Sequence, residues 1–159
     1  MEEFDKTRIE QLLVALKQER ADLRQEATEA LWELWFGQKG IAGRAALEHS
    51  QLLMDSGQLG AAETLLSELI DQLPDFVEAW NRRAVLYYTL KRYPEAVRDC
   101  EMVVKLCPIH FGAWHGLGLC RAAMQDYRGA IAAFQKALDI QPYALINQRL
   151  LLECTALLS

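Results

Sequence analysis

A spacing of 34 residues runs through the chain and limits it to very few folds. Trp80 and Trp114 are 34 positions apart, and so are Tyr93 and Tyr127, Ala96 and Ala130, and Pro108 and Pro142. A further step back reaches Ala46, Leu59, Ala62 and Pro74. Self-similarity at a fixed period of this size marks an array in which each unit is one supersecondary element that buries its apolar face only against its neighbours. Three units follow without insertion, 43–76, 77–110 and 111–144.

Each unit reads as a pair of helices. Ala62, Ala96 and Ala130 fall where two helices approach closely, so a larger side chain there would force them apart. The prolines end each second helix, because proline removes a donor and restricts the residue before it. Asp75 with Glu78 predicts a capping box at the start of the second unit, and Pro94 suits the first turn of a helix. Gly57 and the pair Gln125-Asp126 mark turns inside units one and three.

The third unit carries the fullest pattern. Trp114, Leu117 and Gly118 lie on its first helix, Tyr127, Ala130, Phe134 and Ala137 on its second, and Pro142 closes it. This resembles the tetratricopeptide repeat (TPR) family, whose signature runs Trp-x2-Leu-Gly-x2-Tyr, then Ala-x3-Phe, then Pro. Arg121 replaces the usual Tyr, while the second unit keeps Trp80, Ala84, Tyr87, Ala96 and Pro108 but has Arg83 at the Leu position and Cys100 at the Phe position. The first unit is more degenerate, with Ala46, His49, Ser50 and Leu53, then Ala62, Leu66 and Pro74. The resemblance covers residues 43–144 and implies an all-α fold. That fold is a TPR-type α-α superhelix, right-handed, of about nine helices, with a concave surface lined by the first helix of each unit.

The ends need separate treatment. In residues 4–36, Ile9, Leu12, Leu13 and Leu16 form one helical stripe and Ala27, Leu31, Leu34 and Trp35 another. Asp22 followed by Gln25 predicts an N-cap between them. The reading is two helices, about 4–19 and 23–36, placing a helical hairpin in residues 1–42 over the first unit. One bent helix is the alternative, since no Gly or Pro separates the stripes, and Gly37-Gln38-Lys39-Gly40 reads as a turn. Residues 145–159 predict a C-terminal capping helix. It is apolar nearly all round, which predicts an exposed strip at Ile146, Leu150 and Leu157 for a partner helix or a second copy of the chain.

Chemistry is hard to find. GxSxG, HExxH, P-loop and GxGxxG motifs are absent, and Gly112, Gly116 and Gly118 fall mid-helix by repeat phase, not after a strand. Cys107 and His110, with His115 nearby, have the spacing to begin a zinc site. No second pair of ligands accompanies them, so the reading is a loop thiol beside a surface imidazole. Cys100, Cys120 and Cys154 read as small core hydrophobes, His49 falls at a packing phase, and Trp32, Trp35, Trp80 and Trp114 read as core. No catalytic residue, metal or cofactor is expected. The four cysteines lack CxxC pairing and point to a reducing compartment. No apolar run reaches the roughly 18 residues of a membrane span, and Met1–Lys6 lacks the features of a signal peptide. A net charge of −5 argues against nucleic acid as the partner. The charge is uneven, at −8 over residues 1–76 and +3 over 77–159.

In this family ligands commonly lie against the inner helices. The positions implied are Arg44, Leu47, Gln51 and Met54, then Asn81, Arg82, Val85 and Tyr88, then Gly112, His115, Leu119 and Ala122, with Arg149 on the last helix. Their basic bias and exposed tyrosine suit a peptide with an acidic residue or terminus. The family's carboxylate clamp for chaperone tails needs Lys and Asn, then Asn, then Lys and Arg, where this chain has Leu47, Gln51, Arg82, Gly112 and Gly116; that function is not expected. The segments 74–84 and 110–118, with Ala30-Leu31-Trp32-Glu33-Leu34-Trp35 upstream, resemble small repeat proteins of bacteria and plastids. This implies a soluble cytoplasmic or plastid-stromal adaptor or assembly factor. The expected function is non-catalytic protein–protein interaction. A fixed subunit of a larger assembly comes second, and a metal- or thiol-dependent activity at Cys107 and His110 last.

Overall fold

The computed structural model describes residues 2–159, with side chains from Asp5 onward; Met1 and the side chains through Phe4, part of the stretch read for a signal peptide, lie outside the described residues. The described residues form nine helices: α1 Glu2–Ala15, α2 Ala21–Phe36, α3 Gly40–Asp55, α4 Leu59–Gln72, α5 Val77–Thr89, α6 Tyr93–Leu106, α7 Phe111–Ala123, α8 Tyr127–Ile140 and α9 Leu145–Leu158. The period reappears in the helix starts. The second helices begin at 59, 93 and 127, and α5, α7 and α9 begin at 77, 111 and 145.

The small residues do what their phase predicts. Ala62, Ala96 and Ala130 are fully buried. At Gly118 an added Cβ would stand 2.5 Å from the Phe134 ring, so α7 and α8 meet at this closeness only with glycine there. The turn inside each unit passes through the left-handed region at one phase: Gly57 (φ 77°), Lys91 (φ 58°) and Gln125 (φ 63°). Only the first unit fills that position with the residue that takes it without strain. Each inter-unit proline also offers its carbonyl to the side chain six positions on. Trp80 Nε1 donates to Pro74 O at 2.9 Å and Trp114 Nε1 to Pro108 O at 2.8 Å. Gln148 Nε2 repeats the bond to Pro142 O at 2.7 Å, so α9 occupies the place of the first helix of a further unit.

Departures from the signature are compensated locally. Arg83, at the Leu position, forks onto Asp99 of α6 at 2.8 and 2.9 Å and reaches Ser67 of α4 at 3.1 Å. Burial pushes the Asp99 carboxyl up and Arg83 pulls it partly back, while the Arg83 guanidinium is held up by Asp99. Truncating one partner would strand a buried charge, so Arg and Asp stand or fall together.

The first pair of helices is a hairpin, as the two stripes predict, and its turn needs neither Gly nor Pro because Arg24 Nη1 donates to the carbonyls of Gln18 (2.8 Å) and Glu19 (2.6 Å). Several local expectations are corrected. Asp22 is not the N-cap of α2; Arg20 is, and Asp22 pairs with it in the first turn at 2.6 Å. Asp75 and Glu78 form no capping box. Phe76 is the N-cap of α5, and the Val77 N–H is taken by Gln38 Oε1 at 3.0 Å. His49 is exposed rather than packed.

The largest correction concerns the hairpin's place. It does not sit over the first unit alone. Instead α2 runs across the loops between units, meeting one loop after another. Just past its end, Gln38 and Lys39 of the turn into α3 bond Asp75 and Val77. In its last turns, Trp32 and Trp35 pack on His110 and Phe111. In its first half, Thr28 accepts from Gln141 at 3.1 Å and Arg24 lies over the Tyr143 ring at 4.1 Å. Seven residues of α-helix rise about 10 Å, close to the spacing of packed helices, so one helix can keep step with successive loops. Leu16, Ala27, Leu31, Trp35 and Phe111 form the core under this strap, joined by Cys107, Ile109 and Ile140.

Candidate functional site

The strap changes the shape of the concave face. Between α2 on one side and α3 and α5 on the other lies a groove of about 700 Å³, with Trp32, Glu33 and Phe36 on its α2 wall, and Gln51, Asn81, Arg82 and Val85 opposite. It continues, past Asn81 and Val85, into a narrower and mostly apolar chamber of about 170 Å³. Ala84, Tyr88, Gly116 and Leu119 line that chamber, with His115 at its side.

Of the residues expected at the groove, Gln51, Asn81, Arg82, Val85, Tyr88, His115 and Leu119 line these two spaces, as does Gly112. Arg82 bonds the Gln51 side-chain oxygen and lies over the Phe36 ring at 5.2 Å. His115 Nδ1 bonds Asn147 Oδ1 of α9 at 2.6 Å, which ties the inner wall to the last helix. Burial pushes the Tyr88 hydroxyl up, with Tyr93 and Cys120 adding to it.

Five expected positions are elsewhere. Leu47 is buried with Leu69, Ile70 and Phe76, because the α3 face it occupies turns toward α4 and the following loop. Met54 packs on the Ala62, Leu66 and Leu86 core, and Ala122 packs on the Ala130 and Phe134 core. Arg44 is not part of the lining and pairs with Glu33 at 2.8 Å. Arg149 stands exposed on α9, 3.6 Å from Glu153 and outside the groove. The strip expected on α9 is also redrawn. Ile146 and Leu157 are exposed, but Leu150 is half-buried against the Phe134 and Cys154 cluster, and Leu145, Leu152 and Leu158 are exposed instead.

Beneath the groove lies a cluster that sequence reasoning missed. Glu78 and His110 are both fully buried. The His110 Nδ1 accepts the Ala113 backbone N–H at 3.0 Å and caps α7, so Nε2 carries the hydrogen and donates it to Glu78 Oε1 at 2.6 Å. Asn81 Nδ2 reaches the other Glu78 oxygen at 3.4 Å. Trp35 stacks on the imidazole, ring centroids 4.1 Å apart at 23°, and Trp32 meets it edge-on. His110 is therefore no surface imidazole, and both its nitrogens are committed. Gly112 leaves room for Trp32, whose ring would stand 2.7 Å from an added Cβ. The available signals were Trp32 and Trp35, two indoles one turn apart outside the repeat, and a histidine at the phase of Phe76.

The thiols sit in packing environments. Cys100 and Cys120 both line the smaller chamber; the neighbouring Cys120 thiol and burial push the Cys100 thiol up, and Cys100 in turn pulls Cys120 down. Burial likewise pushes Cys107 up, partly offset by a backbone bond at Ile109 and contact with Trp35. Among the described residues, no three His, Cys, Asp or Glu side chains are grouped to hold a metal ion. No described helix is long and apolar enough to cross a membrane.

Comparison with known proteins bears on the whole arrangement. Tetratricopeptide repeat models match residues 47–108 and 111–144, more than half of the chain together. A TPR repeat-containing protein of Rhizobium etli is 29% identical over 138 residues, 86% of this chain and 68% of that protein. Among solved structures, the first TPR of Spaghetti (RPAP3) bound to the HSP90 peptide SRMEEVD superposes with a TM-score of 0.69 at 23% identity, over 72% of this chain and 92% of that one. The Sgt2 TPR domain from Aspergillus fumigatus gives 0.68 at 22% identity, over 72% and 78%. At these identities the structures speak for the fold.

Proposed function

The chain belongs to the tetratricopeptide repeat family, and from that premise we propose that it is a non-catalytic adaptor that holds a peptide or helix of a partner protein in the groove between α2 and the first helices of the units. Protein interaction is the role that the family supports. The groove as its seat rests on one observation: an open concavity of about 700 Å³ that presents Trp32, Phe36 and Val85 together with Gln51, Asn81 and Arg82. Apolar area with a few placed polar groups is how such sites combine affinity with orientation.

The comparison structures include a TPR bound to an HSP90 peptide, which raises the carboxylate clamp as a mode for this chain. Our reading is against it. Leu47 is buried, Gly112 and Gly116 have no side chain to offer, and Trp32 stands over Gly112. An acidic anchor would find Arg82 alone in the groove, since Arg44 is engaged by Glu33 and Arg149 lies on α9. A second reading has its own support. Leu145, Ile146, Leu152, Leu157 and Leu158 are exposed on α9, a surface suited to a fixed place in an assembly or to a second copy of the chain.

One selection separates the two. Random dodecapeptides displayed against the full chain should yield binders that lose at least tenfold in affinity on Val85→Arg and are unaffected by Leu152→Glu. The reverse pattern would move the partner site to α9.

A further inference from the structure

The groove is acidic where an acid-binding groove would be basic. Its lining holds three carboxylates, Glu29, Glu33 and Glu78, against a single guanidinium, Arg82. Glu78 is satisfied from below by His110 and Asn81. Glu29 and Glu33, by contrast, are exposed on one face of α2, one turn apart, looking over Trp32 and Phe36. Glu29 is bonded by the Gln25 amide at 3.0 Å, and no ion pair forms on it among the described side chains.

The same wall already draws the chain's own cations. Arg44 comes to Glu33 at 2.8 Å. Arg82 lies over the Phe36 face at 5.2 Å, and Phe36 and Trp32 are stacked 5.7 Å apart at 21°. An aromatic face flanked by carboxylates attracts a guanidinium or ammonium through both its quadrupole and the nearby charge. The wider field has the same sign, because residues 1–76, which include α2 and α3, carry a net charge of −8. Immediately beyond Val85 the apolar chamber of about 170 Å³ opens, walled by Ala84, Tyr88 and Leu119.

We propose that the groove takes a partner segment bearing a lysine or arginine next to an apolar residue. The cation would lie on the α2 wall between Glu29 and Glu33, and the apolar side chain would enter the chamber beside Tyr88. This rests on the groove being the partner site, and it reverses the acidic anchor expected from the sequence, which counted Arg44 as a free groove cation.

The test uses the dodecapeptide pool selected on the full chain and the variant Glu29→Lys/Glu33→Lys, whose positions are exposed and whose helicity circular dichroism can verify. The pool should be enriched in Lys or Arg beside a Leu, Met or Phe. Binding should weaken at least tenfold on the double variant, and it should weaken with added salt in the parent but much less in the variant. A pool that is blocked by Val85→Arg but enriched in Asp and Glu, or without charge bias, overturns this proposal and leaves the groove reading standing. A pool indifferent to Val85→Arg, or no enrichment over the Val85→Arg chain, overturns the groove reading and this one with it.

Discussion

In the three units each helix packs chiefly on its sequence neighbours, whereas α2 bonds across 113 positions, from Thr28 to Gln141. The units repeat one solution: a buried alanine where helices cross, a proline carbonyl taken by a side chain six residues on, a left-handed turn at one phase. The strap repeats nothing and meets each loop differently, by ion pair at Asp75, by aromatic stacking at His110 and by cation–π contact at Tyr143. A repeat array gains stability from nearest-neighbour interfaces that cooperate along its length. A strap with individual anchor points can detach while the array stays folded. The groove lies between these two bodies, so its width depends on the weaker connection.

The comparison breaks if damage inside the array stays local. Phe134 is fully buried and fits against Gly118, in one cluster with Ala130 and Cys154. Phe134→Ala should destabilise by about 3–5 kcal/mol, the lost transfer energy plus the cavity. The loss should be global: thermal unfolding followed by far-ultraviolet circular dichroism should move as one transition to lower temperature. A shift confined to α8 and α9 in hydrogen exchange, with the rest protected as before, would mean that the units do not cooperate.

The strap should respond in the opposite manner. Leu31 is fully buried under it, with Leu16, Ala27 and Phe111. Leu31→Ala should remove about 2–5 kcal/mol, drawn from the docking of the hairpin more than from the array. Amides of residues 21–36 should lose exchange protection, while those of residues 59–72, 93–106 and 127–140 keep theirs. Equal loss across all segments would make the hairpin part of one cooperative core and end the distinction.

The same contrast explains what could be read from the sequence. Trp80, Ala96, Ala130 and Pro142 announce the array because their partners recur at a constant phase, and a periodic contact leaves a periodic trace. Gln51, Asn81, Arg82, Val85, Tyr88, His115 and Leu119 reach the groove lining for the same reason. Leu47 shares the phase of Asn81 yet misses the groove, because its side chain packs on Ile70 and Phe76. The contacts of Trp35 with His110 and of Thr28 with Gln141 are single events between distant segments. Nothing in their spacing encodes them. The buried Glu78 was invisible for a related reason: beside Asp75 it imitates a capping box, and only the arrival of Trp35 over His110 gives its carboxylate another use.

The weakest anchor offers the finest test of how the strap is held. Lys39 Nζ reaches Asp75 Oδ2 at 2.8 Å, beside the bonds from Gln38 to Asp75 O and from Val77 N to Gln38. The pair is on the surface, where solvent screens it and its share of stability is small. Its signature lies in titration. The hydrogen bond from Lys39, aided by its charge, holds the Asp75 carboxyl below the ordinary aspartate value despite some opposing desolvation. A depressed folded-state value means that the folded chain releases this proton more readily than the unfolded chain. The contribution is therefore present above the ordinary aspartate value of about 3.9 and is lost as pH falls through the lowered one. Carboxyl carbon shifts should show Asp75 titrating below a free aspartate. Lys39→Ala should return the midpoint toward the ordinary value, and salt should narrow the difference. Because the backbone bonds through Gln38 persist in that variant, exchange protection of α2 should change little, far less than on Leu31→Ala. A normal midpoint in the parent chain would leave the turn held by Gln38 alone.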